Sequence, residues 1–149
     1  MLLIDAGYSA IASIGFAMIF NVPPKALPLC AIGGAIAHSL RTLLIYTGWG
    51  IEWSSLAAAT VIGLIGVYWS RKYIIPRPVF TVASVVPLLP GTYAFKTILG
   101  IFTLHSTGMT FELIENILTN GLTTLFVLMA ICFGLAIPSV VIYRFRPII

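Results

Sequence analysis

The sequence predicts an all-α, polytopic membrane protein: a helical bundle of about five transmembrane helices, the fourth of them broken at Pro87–Gly91. Three observations carry this expectation. Of 149 residues, 60% are hydrophobic and only 8% are charged, against ~25% charged residues in an ordinary soluble domain. The apolar residues fall into five runs, 2–20, 26–46, 51–70, 79–104 and 117–143, each close to or above the roughly 17–25 residues a helix needs to cross a ~30 Å hydrocarbon layer. The links between runs are short, so the runs use nearly the whole chain and residues 1–149 read as a single transmembrane domain.

The first run is not preceded by a basic region and has the length of a span, so it reads as a span and not as a cleavable leader. The second contains Ala31, Gly33, Gly34 and Ala35, and the third Ala59, Gly63 and Gly66. Small residues spaced in this way let helix backbones approach one another in lipid. Cys30 and Cys132 both fall within runs and read as free, buried, small apolar residues. The fourth run, VFTVASVVPLLPGTYAFKTILGIFTL, is apolar but holds Pro87, Pro90 and Gly91 at its middle. A proline inside a helix removes a hydrogen bond and clashes with the carbonyl four residues back, at about 3 kcal/mol. Two half-helices are expected, 79–86 and about 91–104, of about 12 and 21 Å at 1.5 Å per residue. Backbone groups freed at the break cannot face lipid and must meet protein or a watery cavity. The plainer alternative is a kink that only shapes packing. Residues 109–116, with Glu112 and Glu115, read as a short interfacial helix or loop, and Pro138 as a bend in the fifth span.

Charge at the run ends gives an orientation. Lys25 follows the first run, Arg71, Lys72 and Arg77 the third, and Arg144 and Arg146 the fifth, all on one side. Asp5, Glu52, Glu112 and Glu115 lie on the other, where the short loops carry no Lys or Arg. Basic loops stay in the cytoplasm, so the N-terminus is expected outside and the C-terminus inside. Tyr46, Trp49 and Trp53 would form the outer aromatic belt, and Tyr68, Trp69 and Tyr73 the inner one. Topology therefore accounts for the net charge of +4 without a basic face for nucleic acid.

Two cations remain inside runs, Arg41 and Lys96. A charge within a span is costly and by default marks a site. His38 and Arg41 are three residues apart and share a helix face. With the N-terminus of the second half-helix, whose unpaired N–H groups carry partial positive charge, they suit an anion such as a carboxylate. The alternatives are that Arg41 and Lys96 snorkel to the interface, or that Arg41 pairs with Glu52. His38 suits either proton transfer or neutral packing. Thr119, Asn120, Thr123 and Thr124 place amide and hydroxyl groups at helical spacing, for interhelical hydrogen bonds or for lining a pathway. No nucleophile motif, paired intramembrane carboxylates or metal-ligand spacing is present, so neither an enzyme nor a cofactor is expected.

The segments GFAMIFNVPPKALPLCAIGGAIAHSLR, IEWSS, VFTVASVVPLLPG and ILTN, in this order, resemble the threonine/serine exporter family. The likeness covers about residues 15–147 and is greatest to the small (YjjB-like) subunit of the family's split form. The resemblance implies a subunit of a secondary transporter in the bacterial inner membrane. It would export small carboxylates, either threonine and serine or succinate-type dicarboxylates. It also implies a hetero-oligomer with a second (YjjP-like) membrane subunit, this chain matching the second half of a two-half exporter. Matching positions are His38, Arg41, Glu52, Trp53, Pro87, Pro90, Gly91, Thr119 and Asn120; Lys96 lies outside the pattern. Two five-span halves in tandem would run in opposite orientations, as inverted repeats do. The alternative is an accessory subunit that stabilises a partner containing the pathway.

Overall fold

The computed structural model describes residues 2–145, apart from the side chains of Leu2, Thr107 and residues 143–145. Arg146, and the side chain of Arg144, both used above to orient the chain, lie outside this description. Among the described residues there are helices and no strands: α1 (Leu2–Ile19), α2 (Leu27–Tyr46), α3 (Ile51–Tyr73), α4 (Arg77–Val85), α5 (Gly91–Thr107) and α6 (Phe111–Phe145). A helix therefore forms in every expected run.

Local chemistry sets the ends. Asn21, with φ of 55°, closes α1, its N–H bonding Met18 at 3.0 Å while that of Val22 bonds Ala17 at 2.9 Å. This is the paired Schellman arrangement, which requires a left-handed residue after the last turn. Gly48, with φ of 93°, closes α2 in the same way through Ile45 and Leu44. Prolines open helices where no N–H is needed, Pro28 in α2 and Pro78 in α4.

Two compact units result. One is the chain up to Leu88 with α6 from Ala130 onward; the other is Leu89–Met129. In the first, α2 touches α1, α3, α4 and the 3₁₀ turn Val86–Leu88. Its glycine pair makes this possible: a Cβ on Gly33 would lie 2.8 Å from Ser84 Cβ of α4, and one on Gly34 would lie 2.7 Å from Ser13 Cβ of α1. Ser84 Oγ donates to the Phe80 carbonyl at 2.7 Å and to the Cys30 carbonyl of α2 at 3.3 Å. On the other side of the unit, Gly63 of α3 lies against buried Pro138 of α6, and Gly134 of α6 against Ala59 and the Leu56 carbonyl. The small residues thus do what their spacing suggests.

The second unit is a helical hairpin of α5 and the first half of α6, turned at Gly108, whose φ is 85°. Gly100 lies against Ile117 and Gly121 against Thr97.

Three details differ from expectation. α6 begins at Phe111 and runs for 35 residues, about 52 Å at 1.5 Å per residue, so residues 111–116 are its opening turns and not a separate interfacial piece. Both cysteines are free, but only Cys30 is buried and Cys132 is exposed. Among the described residues, three helices are long and apolar enough to cross a membrane, Pro24–Tyr46, Ile51–Tyr73 and Phe111–Ile142. Arg77–Leu88 with Gly91–Ser106 makes a fourth if that pair is one broken span, and Leu3–Ile19 is a shorter apolar helix. By length and composition, then, three or four spans are supported where about five were expected.

Candidate functional site

The fourth run breaks where its prolines require. α4 ends at Val85, a single 3₁₀ turn occupies Val86–Leu88, and helix resumes at Gly91. Pro90, at φ −82° and ψ 56°, is the centre of an inverse γ-turn, closed by the Gly91 N–H on the Leu89 carbonyl at 2.9 Å. In a continuous helix the carbonyls of Val86 and Pro87 would accept from residues 90 and 91. Residue 90 is a proline without an N–H, and that of Gly91 is used elsewhere.

Arg41 of α2 takes up two of the carbonyls at this end. Its Nη1 donates to Leu88 O at 2.7 Å and its Nη2 to Pro87 O at 3.2 Å. The same Nη2 lies 3.2 Å from His38 Nδ1. Arginine has donors only, so Nδ1 accepts and the neutral imidazole carries its proton on Nε2. A guanidinium at a helix C-terminus also meets the negative end of the backbone dipoles. Arg41 therefore holds the end of the first half-helix, whereas the sequence suggested that it would face the N-terminus of the second.

Beside this junction lies a cavity of about 280 Å³, lined by Asp5, Tyr8, Ser9 and Ala12 of α1, His38 of α2 and Pro87. Ser9 Oγ donates to the Asp5 backbone carbonyl at 2.8 Å. The imidazole of His38 lies within electrostatic reach of Asp5, Arg41 and the Pro87 carbonyl. Sequence reasoning missed the α1 wall, having left Asp5 at the membrane edge. The available signal was that Asp5 is the one carboxylate inside the first apolar helix, with Ser9 one turn on.

His38, Arg41 and Pro87 are thus brought together in the first unit. Pro90, Gly91, Lys96, Thr119 and Asn120 belong to the second. Pro90 is buried, and Gly91, Lys96 and Thr119 are exposed. Asn120 Nδ2 donates to its own helix at the Asn116 carbonyl, 2.7 Å away, and Thr124 Oγ1 to the Asn120 carbonyl at 2.8 Å. These bonds within α6 engage the Asn120 amide N–H and the Thr124 hydroxyl, two of the polar groups that sequence spacing offered to a pathway. Among the described residues, no group of three His, Cys, Asp or Glu side chains could hold a metal ion.

A charged residue held at a broken apolar helix, next to a small cavity that Asp5 and His38 help to line, is the arrangement membrane transporters use. The family model described as "Threonine/Serine exporter, ThrE" matches residues 5–141. The chain belongs to the threonine/serine exporter family. Its apolar helices make it a membrane protein, and the family it belongs to is described as one of exporters. A similar protein, from Haemophilus influenzae and described as uncharacterised, is 40% identical over 148 residues, which are 99% of this chain and 50% of that protein. The chain thus spans about half the length of the curated relative it matches. No solved structure matches it.

Proposed function

We propose that this chain is a multi-pass subunit of a secondary exporter in the bacterial inner membrane, moving small carboxylates together with a second membrane subunit. The substrates are of the threonine and serine type or succinate-type dicarboxylates. The observation that carries the site is the guanidinium of Arg41 on the Pro87 and Leu88 carbonyls, beside the cavity lined by His38. An arginine binds a carboxylate through two parallel charged hydrogen bonds, stronger than those to neutral carbonyls. An arriving carboxylate would draw the guanidinium off the break, release the end of α4 and so link binding to rearrangement of the interrupted span. His38, with its proton on Nε2, would serve as a relay. The match to half of a longer relative supports a partner half.

The engagement of Arg41 by backbone carbonyls also favours a second reading, in which the arginine is a structural brace and this chain an accessory to a partner holding the pathway. Efflux of radiolabelled threonine, serine and succinate from proteoliposomes holding the complete exporter separates the two. Arg41→Gln and Arg41→Lys should each lower flux by roughly tenfold or more, as loss of a bidentate charged pair implies, with the assembly intact by size-exclusion chromatography. Unchanged flux in both variants would leave only the accessory role.

A further inference from the structure

The cavity beside the break has an uneven charge. Among the described residues its lining holds one acidic side chain, Asp5, with Tyr8, Ser9, Ala12, His38 and Pro87, and no Lys or Arg. Arg41 is not among the lining residues, and it donates to Leu88, Pro87 and His38. His38 accepts at Nδ1 and so brings a neutral ring with one N–H donor. Among the described residues the Asp5 carboxylate takes part in no hydrogen bond or ion pair; the Ser9 hydroxyl is turned to the backbone carbonyl of Asp5 instead. A carboxylate in an apolar helix, in the lining of a small cavity to which no described Lys or Arg contributes, attracts a cationic group and repels an anionic one.

We propose that Asp5 is the specificity-determining residue of this cavity: it takes the ammonium group of an α-amino acid and, by the same charge, turns away an acid with two carboxylates. The inference rests on the exporter reading and narrows it. The amino acid's own carboxylate goes to the Arg41 guanidinium as it leaves the break, with the Nε2–H of His38 beside it. A dicarboxylate would bring one anionic group to the same donors and its second against Asp5.

The test uses the complete exporter in proteoliposomes, with the wild-type chain, Asp5→Asn and Asp5→Glu. Efflux of threonine and serine should fall roughly tenfold in Asp5→Asn, as expected when a charge-assisted hydrogen bond becomes a neutral one, and recover in part in Asp5→Glu. Efflux of succinate should hold or rise in Asp5→Asn. A drop of equal size for threonine and succinate, or a wild type that moves succinate alone, would overturn the proposal. A second measurement does not depend on transport: thermal stabilisation of the purified exporter by threoninol, which has the ammonium of threonine but no carboxylate. Stabilisation of the wild type that is lost in Asp5→Asn supports the assignment, and equal stabilisation of both contradicts it. If the wild type moves none of the labelled acids, the exporter reading fails while the threoninol comparison still decides the role of Asp5.

Discussion

Arg41 has no apolar alternative at its position, because two backbone carbonyls depend on it. Hydrogen bonds from a charged donor contribute roughly 1.5–3 kcal/mol each, and a buried acceptor left bare costs a similar amount. Arg41→Gln should therefore destabilise the purified protein by about 3 kcal/mol, and Arg41→Lys by about half of that, since one ammonium cannot fork to both carbonyls. Thermal unfolding in detergent reads both. The Ser13–Gly34 contact gives a second expectation. Ser13 is fully buried and its hydroxyl has no hydrogen-bond partner among the described residues, so it serves by volume. Gly34→Ala forces a methyl group against it and should cost about 1–3 kcal/mol. Combining Gly34→Ala with Ser13→Gly moves the bulk across the contact and should restore most of the loss. His38 and Arg41 were legible in the sequence because a charge and an imidazole stand out in an apolar run. Asp5 was not legible as their neighbour, because that depends on how α1 packs on α2, and no periodicity within α1 records it.

The interruption between α4 and α5 shows which part of a sequence argument is safe. Pro87 and Pro90 act on their own backbone, so the break falls where they stand. Which group would compensate for it is a tertiary matter, and the compensation comes from another helix. Gly91 stood with the two prolines at the expected break, yet it is not among the positive-φ glycines, and a Cβ there would meet nothing within 4 Å. Gly91→Ala should then be neutral or stabilise by up to about 0.5 kcal/mol through the gain in helix propensity, with threonine and succinate efflux near wild-type levels. A collapse of flux in that variant would mean that substrate approaches the backbone at this point. The start of α6 was misplaced for a related reason. Glu112, Glu115 and Asn116 look like a loop by polarity, but their spacing with Leu113, Ile114 and Ile117 is equally helical, and the hairpin contact of Ile117 with Gly100 draws them into one helix.

At the scale of the molecule, the chain matches half of a longer relative and exposes many large apolar side chains, and the second membrane subunit proposed above would supply the other half. The five crossings expected from the sequence would put the two ends on opposite sides, with the basic links in the cytoplasm. Reporter fusions should place the N-terminus outside and the C-terminus inside; both ends on one side would mean an even number of crossings and would remove the inverted-repeat arrangement with the partner. The fold class was legible because hydropathy over some twenty residues is a summed property, insensitive to single errors. The number of crossings was less so, since Leu3–Ile19 is short for a span and the α4–α5 pair is interrupted.

The central claim is that the cavity beside the Arg41-held break is a water-filled place where a small acid sits. Ala12, on its wall, offers the most direct access: Ala12→Cys in a background with Cys30→Ala and Cys132→Ala, treated with a hydrophilic thiol reagent in membranes holding the complete exporter. The account predicts that this cysteine is labelled and that threonine, serine or succinate slows the labelling. No labelling, or labelling that none of these acids alters, would contradict it.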